Sequence, residues 1–161
     1  MLQAGSFVSY CGHGICRIEG LRKMNFGRGE REYLVIAPIC ENGATIYLPA
    51  GSSGTAGKLR PVLTKSEIDS VLAGIHDQRM DWIEDRKARV AQFQQILSQS
   101  EPRSLLLMAF CLQTRREKKG LPSSELEILH KAQNIIEQEF SFALELPKQE
   151  IRQYIHDRMQ E

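Results

Sequence analysis

The sequence lacks a long hydrophobic run, and this excludes a membrane-spanning helix from the expected elements. Its longest apolar stretch, residues 105–112, is far shorter than the roughly 18–20 residues that cross a bilayer. That stretch is more typical of one buried helix segment. The first residues have neither a basic start nor an apolar core, so no signal peptide is expected. We therefore expect a protein that stays in the cytoplasm.

The sequence also lacks a charge bias. Its formal net charge is +1. Residues 1–71 contain eight Lys/Arg and six Asp/Glu, and the remaining residues contain thirteen and fourteen. An autonomous nucleic-acid-binding domain is usually strongly basic, because it must neutralise phosphates. Any contact with nucleic acid must therefore be local, weak or assisted by a partner.

Cysteine is scarce and follows no Cys-x-x-Cys spacing. The four cysteines are Cys11, Cys16, Cys40 and Cys111. Cys11 and Cys16 flank His13, which raises the hypothesis of a zinc site with Cys40 as a further ligand. The second half of a four-ligand set is missing. The alternative, reduced and mostly buried thiols, is therefore favoured, and we expect no metal.

No catalytic constellation is evident. The four histidines are scattered, and none has a metal-ligand spacing. Glu84 and Asp85 are adjacent on an expected helix, where their side chains would diverge by about 100°. The glycine-rich stretch at residues 51–57 lacks the Gly-Lys-Ser/Thr ending of a phosphate loop, so a surface loop is favoured. These patterns predict a protein that is not an enzyme and has no cofactor.

The first part of the chain has the pattern of short strands. Apolar and polar residues alternate over residues 15–21, and further strands are expected at residues 7–10, 32–38, 44–49 and 59–62. Turn signals occur at residues 12–14 and 41–43. Short strands joined by hairpins predict a small, strongly bent β-barrel.

The period changes to that of helices after residue 63. Helices are expected near residues 65–75, over about residues 80–98, from Pro102 to Gly120, from Ser124 onward, and from Pro147 to the end. Thr64 with Glu67, and Ser124 with Glu127, have the spacing of capping boxes. Segregated strands and helices predict an α+β protein with two domains, a β-barrel at residues 1–63 and an all-helical bundle at residues 64–161.

Trp82, the only tryptophan, is expected at the start of a helix, with basic residues behind it. An aromatic side chain backed by cations could enter a DNA minor groove. Alternatively, Trp82 packs on the bundle as a hydrophobic staple, and Glu84 and Asp85 argue against a strongly attractive surface. The candidate phosphate-contacting residues, which could equally be solvated helix ends, are Arg86, Lys87, Arg89, Arg115, Arg116, Lys118 and Lys119.

Tyr47 is a candidate contact on the expected strand at residues 44–49. It is opposite in phase to Ile46 and Leu48, so its side chain is expected to face solvent. An exposed aromatic on an edge strand can contact a partner. It can equally pack on the loop at residues 51–57.

The order of these motifs resembles that of CarD-type (CarD/CdnL/TRCF-like) bacterial transcription regulators. The resemblance extends to about residue 146. Its segments are residues 7–20 (FVSYCGHGICRIEG), 32–36 (EYLVI), 46–49 (IYLP), 59–62 (LRPV), Trp82, residues 120–125 (GLPSSE) and the following Lys131-Ala132. Each motif alone is weak, and their order and spacing together are fairly specific.

The resemblance implies a fold and a mechanism. The family's N-terminal domain is a Tudor-like barrel that binds the RNA polymerase β subunit by strand addition. Its helical domain contacts promoter DNA at the upstream edge of the bubble, without sequence specificity, and a tryptophan wedges into the minor groove. Carried over, the wedge is Trp82 and the phosphate contacts come from the seven basic residues above. The implied polymerase-binding residues are Ile18, Leu21, Arg22, Thr45, Ile46, Tyr47 and Leu48.

The resemblance therefore predicts a regulator that modulates open-complex stability and reaches the nucleoid through polymerase. The sequence departs from the family at several positions, among them Cys11, where proline is usual. Some members have arginine at the position of Tyr47, and basic residues at those of Glu84 and Asp85. The alternative is a polymerase-binding adaptor whose helical domain recruits another protein without touching DNA.

Overall fold

The computed structural model describes residues 3–10, 14–27, 29–39, 44–50, 59–75 and 78–159. The chain divides into two compact units, Met1–Val62 and Leu63–Glu161. The first unit contains the strands and the second contains the helices. The α+β class predicted from the sequence is confirmed.

The first unit is an antiparallel sheet of five strands. The strands are β1 (Phe7–Tyr10), β2 (Gly14–Asn25), β3 (Glu30–Pro38), β4 (Ile46–Pro49) and β5 (Leu59–Pro61), in the order β4-β3-β2-β1-β5. Within the described part of the chain, β4 and β5 do not pair with each other, so the sheet is open. The described strands therefore form an open sheet and not the predicted closed barrel.

A β-bulge interrupts β2 and changes which residues share a face. The register with β3 shifts between Ile18 and Gly20, so that Glu19 has no direct partner. Gly20 has a φ of 138°, a conformation that side-chain-bearing residues rarely adopt. Because of the extra residue, Ile18 and Leu21, opposite Ile36 and Leu34, lie on the same face of the sheet.

One face of the sheet forms the core of this unit. Its buried members are Val8, Cys16, Ile18, Leu34, Ile36 and Leu48, with Tyr10, Ile46 and Leu59 packed against them. These positions follow the period of two along each strand, apart from the bulge. Ile15 and Val35 are also buried, but the pairing places them on the other face of the sheet.

The second unit contains five helices in its described residues. They are α1 (Lys65–Ile75), α2 (Arg86–Gln99), α3 (Pro102–Lys119), α4 (Ser123–Leu144) and α5 (Lys148–Met159). The α3–α4 pair and the α4–α5 pair make the most contacts among the helices. In the described ranges, no helix combines the length and the apolar character that crossing a bilayer requires.

The centre of the second unit is the apolar stretch of α3. Leu105, Leu106, Met108 and Leu112 are all essentially inaccessible to solvent. They belong to a cluster to which all five helices contribute. The sequence-based expectation that residues 105–112 form a central buried helix segment is confirmed.

Helix ends follow the local sequence signals at three of the predicted places. Thr64 and Glu67 form the predicted capping box, with Glu67 N–H donating to Thr64 Oγ1 at 3.2 Å and Thr64 N–H donating to Glu67 Oε1 at 3.3 Å. Pro102 begins α3, and Gly120 ends it with its N–H donating to Arg116 O at 2.9 Å.

Two predicted helix starts were wrong. The helix expected from residue 80 begins at Arg86, because the carboxylate of Asp85 accepts a hydrogen bond from Ala88 N–H at 3.0 Å and caps it there. Residues 81–83 have no regular structure, so Trp82 precedes the helix. The capping box expected at Ser124 is replaced by a start at Ser123, with no side-chain cap.

Candidate functional site

Strand β4 is an edge of the sheet. It pairs with β3 on one side, and no described strand pairs with it on the other. Ala50 N–H donates to Glu32 O at 3.0 Å, in register with the pairs Leu48–Leu34 and Ile46–Ile36. Hydrogen-bonded and non-hydrogen-bonded pairs alternate along an antiparallel ladder. The backbone N–H and C=O of Tyr47 therefore point away from β3, towards the open edge.

The seven sequence-predicted polymerase-binding residues are in three different environments. Ile18 and Leu48 are buried in the core, and Ile46 is half-buried against it. Their side chains support the strand and are not available to a partner. The exposed members are Leu21, Arg22, Thr45 and Tyr47.

The strand around Ile18 is not a second edge beside β4. It belongs to β2, which β3 separates from β4. Arg22, opposite Tyr33, is therefore two strand spacings from β4, about 10 Å. The structure thus places Thr45 and Tyr47 at the edge and Leu21 and Arg22 away from it.

Sequence reasoning missed an aromatic cluster next to this edge. The ring centroid of Phe26 lies 5.1 Å from that of Tyr33 and 5.7 Å from that of Tyr47, both in edge-to-face arrangements. Phe26 is 58% exposed and Tyr47 is 37% exposed. Phe26 directly follows β2, and no local pattern in the sequence links it to Tyr47.

Trp82 is half-buried on the helical unit. Its indole ring packs near Phe93, with centroids 6.3 Å apart, and the Cζ atoms of Arg89 and Arg115 lie 4.4 Å and 4.5 Å from its centroid. Each guanidinium is placed for a cation–π interaction. Trp82 packs on the helical core, which was one of its two predicted alternatives, and part of its ring remains accessible.

Arg89 is the centre of a buried polar network. It is 8% exposed, and its Nε–H donates to Glu125 Oε1 at 2.7 Å, with Nη2 2.6 Å from the same oxygen. Its Nη1–H donates to the carbonyls of Ile83 at 2.9 Å and Glu84 at 3.2 Å. Glu125 is 1% exposed. A guanidinium with these partners ties the segment before α2 to the start of α4.

Arg89 is therefore a structural residue and not a phosphate contact. The reason is its burial opposite a carboxylate, which neutralises its charge and occupies its donors. Sequence position gave no sign of this, because Glu125 lies 36 residues away. We leave Arg89 out of the candidate surface.

The other predicted basic residues remain accessible. Arg115 is half-buried against Trp82, whereas Arg86, Lys87, Arg116, Lys118 and Lys119 are exposed. Arg86 donates to Ser124 Oγ at 3.2 Å, and Arg115 shares the Trp82 ring with Arg89. These contacts bring the starts of α2 and α4 and the second half of α3 to one region, which we call the Trp82 surface. Its anions include the exposed Glu84 and the capping Asp85.

The described residues offer little for metal or catalytic chemistry. No group of three or more His, Cys, Asp or Glu side chains in those ranges could hold a metal ion. Cys16 is buried, with its Sγ–H donating to Gly14 O at 3.7 Å, and Cys111 is half-buried. The remaining members of the zinc hypothesis, Cys11, His13 and Cys40, and the glycine-rich loop at residues 51–57 lie outside the described residues.

A groove of about 580 Å³ in the helical unit contains Cys111. Its apolar lining includes Leu106, Phe110, Ile136 and Ile155. Burial raises the pKa of the Cys111 thiol, although the Arg115 charge opposes this. A raised pKa leaves little thiolate at neutral pH, so Cys111 is a poor nucleophile.

Comparison with known families assigns the sheet unit. Residues 2–63 match the family model of the CarD-like/TRCF RID domain. A search of curated proteins found no similar sequence. The match covers all five strands and ends where the helical unit begins. The resemblance noted in the sequence is confirmed for this unit.

Proposed function

Since residues 2–63 form a CarD-like/TRCF RID domain, we propose that this chain is a bacterial transcription regulator that binds the β subunit of RNA polymerase. The sheet unit makes this contact. The helical unit contacts promoter DNA at the upstream edge of the melted bubble and modulates the stability of the open complex. In this proposal the sheet unit has a Tudor-like fold, and the chain acts at the nucleoid through polymerase.

The observation that carries the polymerase contact is the family match together with the unpaired edge of β4. A sheet edge with outward N–H and C=O groups can accept a partner strand, which is a common mode of protein recognition. Tyr47 is central in this edge and its side chain is exposed. An exposed edge strand of this kind is a ready template for pairing.

The DNA contact is supported by the Trp82 surface. The partly accessible indole of Trp82 lies against the half-buried Arg115, and α3 continues from there with the exposed Arg116, Lys118 and Lys119. Accessible aromatic rings and cations are both common where proteins hold the minor groove and its phosphates. Arg89, paired with Glu125, donates a hydrogen bond to the carbonyl of Ile83 and so fixes the backbone next to Trp82. The near-neutral charge of the chain means that polymerase must deliver this surface to the promoter.

The polymerase contact is tested by binding of the full chain to core RNA polymerase. We expect stable co-purification and loss of binding when β4 can no longer pair. Tyr47→Pro removes the central outward N–H, whereas Thr64→Ala, in the helical unit, serves as the control. No binding by the unmodified chain would refute the polymerase contact.

The DNA contact is tested with exposed cations at the two ends of α3. Lys119 lies one helical turn after Arg115, the α3 residue that contacts Trp82, and Arg116 is next to Arg115 in the chain. Arg103 lies about 20 Å from Arg116 along the same helix. Arg116→Gln with Lys119→Gln should shorten the open-complex lifetime. It should also flatten the dependence of that lifetime on salt, because each phosphate contact contributes about 0.9 to the slope of log affinity against log salt. Arg103→Gln should change neither.

A separate variant, Trp82→Phe, distinguishes the proposed DNA contact of the indole from its packing in the helical unit, because phenylalanine keeps an aromatic ring against Phe93. We expect a shorter open-complex lifetime with little loss of stability. Equal effects of the Arg103 and Arg116/Lys119 variants would contradict DNA contact at this surface.

A second candidate function is a polymerase-binding adaptor whose helical unit recruits another protein. The exposed Glu84 beside the half-buried Trp82 favours it, because carboxylates repel phosphates. In that case the chain would still bind polymerase, but its effect on transcription would not depend on these cations.

A further inference from the structure

The aromatic cluster beside β4 defines the chemistry of the partner segment, provided that the proposed polymerase contact holds. Tyr47 pairs with Val35, and Pro49 pairs with Tyr33, so these four residues lie on the face of the sheet opposite the core. Phe26 contacts both Tyr33 and Tyr47. We call Phe26, Tyr33 and Tyr47 the aromatic face.

An added strand would be fixed in register at Tyr47. The outward N–H and C=O of Tyr47 can form one hydrogen-bonded pair with a partner residue. Pro49, the next outward position, has no N–H to donate. Pairing is therefore best at Tyr47, and one partner residue stands directly opposite it.

The side chain of that partner residue lies on the aromatic face. Directly opposite residues in a sheet have Cβ atoms about 4.5–5.5 Å apart and share a face. The partner side chain therefore meets the Tyr47 ring and comes within reach of Phe26. The cations that the pairing of β2 with β3 places on this face are Arg17 and Arg22, both two strand spacings from β4, and Arg31, which lies four residues along β3 from Val35.

This environment suits an apolar side chain. The faces of aromatic rings are electronegative and do not attract a carboxylate. The backbones of Arg17, Arg22 and Arg31 are each more than about 10 Å from the partner position opposite Tyr47, so none is placed there to neutralise a carboxylate. These three arginines also disfavour an additional cation on this face. Exposed Phe and Tyr side chains that become buried on association contribute strongly to binding.

We propose that Phe26 is a second contact residue of the polymerase-binding surface, and that the partner segment places an apolar side chain on Tyr47 and Phe26. Binding through this unit then depends mainly on apolar burial. Its affinity should change little with salt concentration, unlike an interface held by an arginine–carboxylate pair.

The test is the affinity of the full chain for core RNA polymerase, measured at two salt concentrations. Phe26→Ala should weaken binding about tenfold or more, because it removes the ring that lies against Tyr47. Leu21→Ala is the matched control. Leu21 is equally exposed, at 60%, but lies on the opposite face of the sheet from Tyr47.

The outcomes separate this inference from the function on which it rests. Weaker binding by Phe26→Ala, with an unchanged thermal midpoint and normal binding by Leu21→Ala, supports the inference. Binding by Phe26→Ala equal to that of the unmodified chain overturns this inference alone, as does an affinity that falls steeply with salt. No binding by the unmodified chain overturns both the proposed function and the inference.

Discussion

Replacing Glu125 with glutamine tests whether the buried ion pair holds the segment of Trp82. Glu125→Gln keeps the size of the side chain and removes its charge. Arg89, which is 8% exposed in the unmodified chain, then has no counter-ion in this buried position. Removing one partner of a buried pair costs about 3–5 kcal/mol. Because Arg89 keeps its bonds to the carbonyls of Ile83 and Glu84, we expect the lower end, about 3 kcal/mol.

The matched control lies two residues further along α4. Glu127 pairs with Lys131 at 3.4 Å, and both side chains are more than half exposed. Exposed pairs one helical turn apart contribute about 0.3–0.5 kcal/mol, so Glu127→Gln should be nearly neutral. Both variants remove one negative charge, so the comparison isolates burial.

Urea unfolding followed by tryptophan fluorescence measures the difference. Trp82 is the only tryptophan, and it packs on Arg89, so its emission reports on the helical unit alone. With a denaturant slope of about 2 kcal/mol per M, a loss of 3 kcal/mol lowers the midpoint by about 1.5 M. Equal midpoints for the Glu125 and Glu127 variants would refute the structural role assigned to the pair.

Three further predictions concern single side chains. Ile18→Ala should lower the free energy of unfolding of the sheet unit by about 2–5 kcal/mol in thermal or urea unfolding, because Ile18 is 1% exposed. Leu21→Ala should change that free energy by less than about 0.5 kcal/mol, because Leu21 is 60% exposed. Comparable losses in the two variants would contradict the assigned core. Partial burial raises the pKa of Glu101, but hydrogen bonds, chiefly from Ser104, outweigh it and the pKa is lowered from 4.5. The Glu101 carboxylate caps the start of α3 by accepting hydrogen bonds from the N–H groups of Arg103 and Ser104. This cap should therefore contribute fully above pH 4.5 and be lost as the pH falls through the lowered pKa. The urea midpoint should depend less on acid pH in Glu101→Gln than in the unmodified chain, and parallel pH curves for the two would contradict this. The rate of Cys111 alkylation, measured by peptide mass spectrometry, should rise at a higher pH than the rate for a fully exposed thiol, because burial raises the pKa of Cys111. An unshifted pH profile would show that burial does not control this pKa.

Local chemistry accounts for the parts of the fold that the sequence predicted well. Thr64 and Glu67 satisfy each other's backbone donors within one turn, and Pro102 and Gly120 begin and end α3 through their own backbone preferences. Tyr47 was expected to face solvent from alternation along one strand, and it does. These features depend on neighbours within a few residues, which sequence patterns contain.

Partners far apart in the chain decided the rest. Arg89 lies on the same helix as the exposed Arg86, three residues further on, yet it is buried and paired with Glu125, 36 residues away. Phe26 meets Tyr47 only because β3 lies between their strands. The sequence by itself thus determined the class of fold, the strands and the family resemblance of the first unit. Only the tertiary structure decided which charges are neutralised and which rings meet, because burial and pairing depend on distances across the fold that no local pattern encodes.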